Sequence, residues 1–266
     1  FVDSKQEFWR AAEFVRGTVS YERVSNAHQA RQIGFALGRF HRLLADLPIH
    51  LLNDSLPGFH IAPQYLSEYE RIAHQSAFTS PVEAQCHEFI TQRAMGISVL
   101  ENERNQGTLH VRVIHGDPKV NNFLFSQQTG EVVSLIDLDT IKPGLVHYDL
   151  GDCMRSACNR EGEDLGGGGA VIYDIEIASA LLAGYLEEAR AFMTERDFDL
   201  CYAAMRLIPL ELGIRFFTDH LSGNKYFRVE DTEHNLRRAC TQFRLVESIE
   251  AQSGELQALI ARQRCA

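Results

Sequence analysis

Apolar residues recur at the spacing of amphipathic helices along most of the chain. In the segment 27–47 they repeat at steps of three and four, which predicts a helix with one face against a core. A second helix is expected over 81–104, because Pro81 suits a first helical turn. Three further stripes follow Gly144: Ala178, Leu182, Tyr185 and Phe192; Phe198, Tyr202, Met205, Ile208 and Leu212; and Ala239, Phe243 and Val246. Helices therefore dominate the predicted fold.

A short region with the pattern of β-strands interrupts the helices. Apolar and polar residues alternate over 109–113, and the apolar runs 123–125 and 132–136 follow, separated by a Gln-Gln-Thr-Gly turn. Runs of this length with turn residues between them predict short strands. The expected fold class is therefore α+β, mainly α, with a small β-hairpin insertion.

The first 17 residues have a different pattern. A polar turn separates an apolar start from the β-forming residues Phe8, Trp9, Phe14 and Val15, which predicts a hairpin whose second strand leaves the sheet at Gly17. A two-stranded hairpin alone is marginally stable. We therefore expect residues 1–17 to be the remnant of an N-terminal β lobe and its hinge, mostly missing here, and residues 18–266 to form a helical C-terminal lobe.

Composition excludes several classes of function. The chain has 266 residues, 45% of them hydrophobic, so it can bury a sizeable core. Its formal net charge of −10 argues against a nucleic-acid partner. No apolar run approaches the roughly 20 residues of a membrane helix, and no signal-peptide pattern opens the sequence. We expect a cytoplasmic protein without a membrane partner, whose six cysteines are reduced and mostly buried thiols.

The loop between the first two predicted strands contains residues that suit phosphoryl transfer. Residues 113–122 read VIHGDPKVNN, in which Asn122 follows Asp117 by five positions. In phosphoryl transfer, such an Asp accepts the hydrogen bond of the substrate hydroxyl and such an Asn holds Mg²⁺. Asp137, at the end of the following strand, is the expected second metal ligand. Lys119 would place an ammonium group near the transferred phosphoryl group.

These motifs resemble a known family. His-Gly-Asp, an Asn five residues after the Asp, and a later Ile-Asp-Leu-Asp are similar to the aminoglycoside phosphotransferase and choline kinase superfamily. The resemblance implies a protein-kinase-like large lobe, ATP and Mg²⁺ as cofactors, and a small-molecule acceptor. It makes Asp117 the catalytic base, Asn122 and Asp137 the magnesium ligands, and His115 a structural brace of the loop.

Longer motifs resemble one branch of that superfamily. HGDPKVNNFLF, SLIDLDTIKPG and YDLGDCMRS together look most like the N-acetylhexosamine 1-kinases. This resemblance implies phosphorylation of the anomeric hydroxyl of a sugar or amino sugar. Aminoglycoside, choline and homoserine kinases of the same superfamily are the alternatives.

The segment before the first helix resembles the hinge that holds adenine in kinase-like folds. Glu13, Phe14 and Val15 are the expected nucleotide contacts, through main-chain atoms. No Gly-rich loop and no strand lysine precedes them, and Lys5 lies in a predicted turn. We expect the chain by itself to bind ATP weakly and to be inactive.

The region 149–164 is expected to meet the acceptor, since it offers several polar and charged side chains. Asp152 and Arg155 are the candidate substrate-binding residues, although an ion pair between them is an equal alternative. Asp149 is expected to have a structural role. Asp139 could contact a second metal ion or cap the turn before Thr140.

Two rival functions come from other classes. A metal-dependent phosphohydrolase would need several His ligands, yet His110, His115 and His147 form no paired metal motif. A kinase-like binding protein without activity would have lost its catalytic residues, whereas Asp117, Asn122 and Asp137 are all present.

Overall fold

The computed structural model describes residues 1–54, 56–160, 162 and 170–265. Its α-helices are α1 (Ala27–Leu43), α2 (Ala62–Ala73), α3 (Pro81–Arg93), α4 (Val99–Asn105), α5 (Val146–Ala157), α6 (Ile175–Ala189), α7 (Glu195–Asp199), α8 (Cys201–Leu221), α9 (His234–Ala251) and α10 (Ser253–Cys265). Short 3₁₀ helices span Ile49–Leu51, Ala94–Gly96, Val120–Asn122 and Leu138–Thr140. No described helix combines the length and the apolar character that a membrane crossing requires.

The strands form two small antiparallel sheets. They are β1 (Thr18–Val19), β2 (Arg112–Ile114), β3 (Phe123–Ser126), β4 (Val132–Leu135) and β5 (Lys142–Gly144). One sheet has the order β1-β3-β4, and the other pairs β2 with β5. The prediction of a mainly helical fold with a small β insertion is confirmed.

The expected helix over 81–104 is wrong as one continuous element. α3 begins with a capping box between Ser80 and Glu83, and it ends at Arg93. A 3₁₀ turn and a short gap then precede α4. Gly96 favours this break because glycine is a poor helix former. A Cβ at Gly96 would also lie 2.7 Å from the guanidinium of Arg206, which a larger residue would displace.

α1 and α6 cross at backbone contact distance in the core. A Cβ added to Gly34 of α1 would overlap the carbonyl oxygen of Leu181 in α6, and one added to Gly184 would overlap the carbonyl oxygen of Arg31. α5 contributes buried side chains to both hydrophobic clusters of the molecule. The helix that follows the small β region is therefore anchored on two sides.

The predicted N-terminal hairpin is reduced to a single bridge. Val2 pairs with Phe8, and the backbone nitrogen of Trp9 donates to the carbonyl oxygen of Phe1 at 2.7 Å. No regular strand follows through residues 9–15. The side chain of Phe8 is 87% exposed, so it does not pack into the hydrophobic core.

Candidate active site

The loop after β2 has a backbone that only glycine can adopt without strain at its second position. Gly116 has φ +88°, and a Cβ there would lie 2.6 Å from the carbonyl oxygen of Thr140. The hydroxyl of Thr140 donates to the carbonyl oxygen of His115 at 2.7 Å. Glycine thus lets the loop turn tightly against the segment that carries Asp137.

Asp149, in the first turn of α5, holds the same loop from the core side. Its carboxylate accepts the backbone N–H groups of His115 at 2.6 Å and of Gly116 at 2.8 Å. His41 of α1 contacts the same carboxylate through Nε2 at 2.8 Å, and Tyr185 contacts the other ring nitrogen. Burial raises the pKa of Asp149, but the hydrogen bonds from His41 and the loop outweigh it and lower this pKa overall. Asp149 is thus placed as a brace of the loop.

A second brace comes from His60. Its Nε2 lies 2.9 Å from the carbonyl oxygen of Gly116, and its Nδ1 lies 3.1 Å from Oε1 of Glu211 in α8. A protonated ring carries two N–H groups and can donate to both oxygens, whereas a neutral ring can donate to only one of them. Burial lowers the pKa of His60, but the charge of Glu211 outweighs it and raises this pKa overall.

The loop presents Asp117 and Lys119 as an ion pair. The ammonium of Lys119 lies 2.6 Å from Oδ2 of Asp117, and both side chains are partly exposed. Burial and the nearby charge of Asp152 raise the pKa of Asp117, against the lowering effect of Lys119 and Arg155. A carboxylate with a raised pKa is a better proton acceptor, which is the property that a general base needs.

Asn122 and Asp137 are brought together by backbone contacts. The side-chain amide nitrogen of Asn122 donates to the carbonyl oxygen of Asp117 at 2.7 Å. The backbone N–H of Ile136 donates to the carbonyl oxygen of Asn122 at 2.9 Å. His115 completes the link, since its Nε2 lies 2.9 Å from the carbonyl oxygen of Ile136. The expected role of His115 as a brace agrees with this position.

The oxygen atoms of these two residues suit a magnesium ion. The amide nitrogen of Asn122 is engaged by Asp117, which leaves its amide oxygen for another partner. Asp137 is exposed and has φ +66°. Across the same residues, no three His, Cys, Asp or Glu side chains form a metal cluster. Two hard oxygen ligands fit a Mg²⁺ ion that takes its other ligands from phosphates and water.

The expected adenine contacts lie in the segment before β1. Glu13 and Phe14 are exposed, and neither belongs to a regular element. The segment is tied to the catalytic region by Arg10, whose guanidinium lies 2.8 Å from Oδ2 of Asp139. Asp139 is therefore engaged in an exposed ion pair, and its contact with a second metal ion stays a prediction.

A polar pocket of about 330 Å³ opens beside Lys119. The described residues that line it are Glu22, Arg23, Lys119, Asn121, Arg155, Ser156, Asn159, Gly162 and Arg238. The ion pair that the sequence left open is present, since Nε of Arg155 lies 2.9 Å from Oδ1 of Asp152 and both side chains are buried. Oδ2 of Asp152 is buried without a hydrogen-bond partner among the described residues. Of the expected acceptor region, Glu161, Glu163 and Asp164 lie outside the described residues.

Sequence reasoning missed three residues of this site: His41, His60 and Glu211. They belong to α1, to the loop before α2 and to α8, far from the catalytic loop in the chain. None stands in a local motif. The only signal is a polar residue within an apolar helical stripe, as for His41 and Glu211, and that signal does not name a partner.

Comparisons with known proteins identify the family of the chain and show proteins of similar fold. A family model described as the phosphotransferase enzyme family (APH) matches residues 2–195. A spectinomycin phosphotransferase, solved with ADP and spectinomycin, has a TM-score of 0.52 and 13% sequence identity to this chain. The match covers 95% of this chain and 75% of the chain of that enzyme. Plasmodium vivax ethanolamine kinase has a TM-score of 0.48 and 14% identity over 86% of this chain, which spans 64% of that kinase. The likeness to the spectinomycin enzyme is one of fold.

Proposed function

Because this chain belongs to the phosphotransferase enzyme family, we propose that it serves to transfer the γ-phosphoryl group of ATP to a hydroxyl group of a small molecule. The observation that carries the proposal is the loop in which Asp117, Lys119 and Asn122 converge beside Asp137. Phosphoryl transfer requires a carboxylate for the acceptor hydroxyl and oxygen ligands for the metal that binds the phosphates, and these residues offer both.

In this proposal Asp117 accepts the hydrogen bond of the acceptor hydroxyl and orients its oxygen toward the phosphoryl group. Lys119 holds Asp117 in place and offsets the negative charge that develops on the transferred group. Asn122 and Asp137 would hold Mg²⁺, which neutralises phosphate charge when bound. The buried braces Asp149 and His60 fix the loop backbone, and fixed geometry is the main source of rate in this chemistry.

We propose an acceptor of the sugar class, similar to an N-acetylhexosamine. The described lining of the pocket beside Lys119 is dominated by polar side chains and includes no aromatic ring. Sugar hydroxyl groups need such donors and acceptors, whereas a choline-like cation is held by aromatic faces. The buried Asp152–Arg155 pair lies at the same end of the site.

The second candidate is a kinase of the same family with another acceptor, namely an aminoglycoside, choline or homoserine. A kinase-like binding protein without activity is the third. An aminoglycoside would bring several positive charges into a pocket whose described lining includes Arg23 and Lys119. This favours the neutral sugar over the aminoglycoside.

The test is transfer of labelled phosphate from ATP, by the active protein, to a panel of hexosamines, aminoglycosides, choline, ethanolamine and homoserine. We expect label on a hexosamine, and its loss in the Asp117→Asn variant. If only an amino alcohol or an aminoglycoside is labelled, the proposed phosphoryl transfer stands and the proposed sugar acceptor is wrong. Binding of Mg-ATP without label on any acceptor would favour the binding protein.

A further inference from the structure

Two cysteines that are 154 residues apart in sequence meet between α3 and α9. The sulfur of Cys86 lies 3.8 Å from the sulfur of Cys240. A disulfide bond has a sulfur–sulfur length of about 2.0 Å, so small changes of side-chain torsion and helix position would close the gap. The sequence spacing gave no sign of this pair.

The pair is accessible from the surface. Cys86 is buried, whereas Cys240 is partly exposed. Both line a cavity of about 180 Å³, which Gln85, Phe89 and Arg244 also line. A reagent the size of a small peroxide can therefore reach Cys240 before it reaches Cys86.

The pKa values of the two thiols are shifted in opposite directions. The hydrogen bond between the two sulfurs lowers the pKa of Cys240, and the charges of Arg244 and His220 lower it further. Burial acts in the opposite direction and raises this pKa. The same hydrogen bond and burial raise the pKa of Cys86. The greater exposure of Cys240 and the direction of these shifts both favour Cys240 as the thiolate, the form in which cysteine acts as a nucleophile.

We propose that Cys240 and Cys86 form a peroxide-reactive pair in which Cys240 is oxidised first and Cys86 resolves it. The thiolate of Cys240 attacks one oxygen of a peroxide, the O–O bond breaks, and a sulfenic acid and an alkoxide or hydroxide result. The sulfur of Cys86 then attacks the sulfur of the sulfenic acid. Water leaves with the proton of the Cys86 thiol, and a disulfide joins α3 to α9.

The other cysteines are natural controls. Cys153, Cys158 and Cys201 are buried, and burial raises the pKa of each. Cys265 is exposed, near the end of α10. It reports whether the peroxide dose is sufficient to oxidise an exposed thiol.

The experiment treats the reduced chain with hydrogen peroxide and maps disulfides by mass spectrometry before and after reduction. We expect an intramolecular bond between Cys86 and Cys240 that dithiothreitol reverses. If both remain free thiols at a dose that oxidises Cys265, the proposal is overturned.

Two variants assign the roles. In Cys86→Ser, dimedone should trap a sulfenic acid at Cys240, since the resolving thiol is gone. In Cys240→Ser, Cys86 should stay reduced under the same dose. Trapping at Cys86 in Cys240→Ser would overturn the assigned order. The mapping of the unsubstituted chain decides the pair itself, even if a variant folds poorly, and it is independent of any phosphotransferase activity.

Discussion

The Nδ1 atom of His60 lies 3.1 Å from Oε1 of Glu211, so the buried ring of His60 ties α8 to the loop that carries Asp117. The opposite ring nitrogen bonds the carbonyl oxygen of Gly116. A neutral imidazole has a single N–H and would lose one of the two bonds. Protonation of His60 is therefore linked to the position of the loop backbone at Gly116, one residue before Asp117.

The first prediction is a loss of stability with rising pH. The pKa of His60 is raised in the folded chain, whereas the ordinary value of about 6.5 applies when it is unfolded. The stabilisation is therefore fully present below pH ~6.5 and is lost as pH rises through the folded pKa. Urea denaturation at a series of pH values above 6.5 measures this decrease.

A His60→Gln variant is the matched control for that decrease. Glutamine keeps a side-chain amide beside the loop but has no ionisable group. The free energy of unfolding of the variant should therefore be lower near pH 6.5 and should depend less on pH above that value. His147 titrates in the opposite sense, because burial lowers its pKa. His147 therefore changes the stability only below pH ~6.5, whereas His60 changes it above that pH. An unchanged slope in His60→Gln would contradict the prediction.

The second prediction concerns the proposed base. In the active protein, Asp117→Asn should lower kcat by on the order of a hundredfold to ten-thousandfold, since the hydroxyl proton loses its acceptor. Affinity for Mg-nucleotide should change little, because other residues hold it. Steady-state kinetics and calorimetric titration separate the two effects. A variant with kcat near that of the unsubstituted protein would remove Asp117 from the mechanism.

The third prediction concerns the metal. Asn122→Ala and Asp137→Ala should each raise the Mg²⁺ concentration that half-maximal activity requires, because each removes one oxygen ligand. Asp139→Asn is the control, since Asp139 lies two positions after Asp137 but pairs with Arg10 on the surface. It should leave the magnesium titration unchanged. A shift in Asp139→Asn equal to that in Asp137→Ala would point to two metal ligands in this segment.

The fourth prediction concerns the crossing of α1 and α6. Gly34→Ala should destabilise the chain by about 1–3 kcal/mol or more, because the added methyl group overlaps the backbone of Leu181. Gly254→Ala is the control, since no atom lies within 4 Å of its added Cβ. That change should stabilise by about 0.4–1 kcal/mol through the unfolded state. Chemical denaturation of the two variants checks both signs, and equal effects would contradict the close crossing.

The local pattern predicted α1, α6, α8 and α9 and the strands β2, β3 and β4, because each is set by residues near one another in the chain. It did not predict the helices α2, α5, α7 and α10 or the strands β1 and β5. It also extended one helix through Gly96, where the close approach of Arg206 decides the outcome. Errors therefore fall where a distant segment overrides local propensity.

The sequence by itself determined the chemistry of the candidate site, because Asp117, Lys119 and Asn122 share one loop whose spacing fixes their relative positions. It could not identify what holds that loop. His41, His60 and Glu211 reach it from separate elements, and Cys86 meets Cys240 across 154 positions. Only the tertiary structure decided these pairs, because contacts between distant segments depend on how the helices pack and leave no periodic trace in the chain.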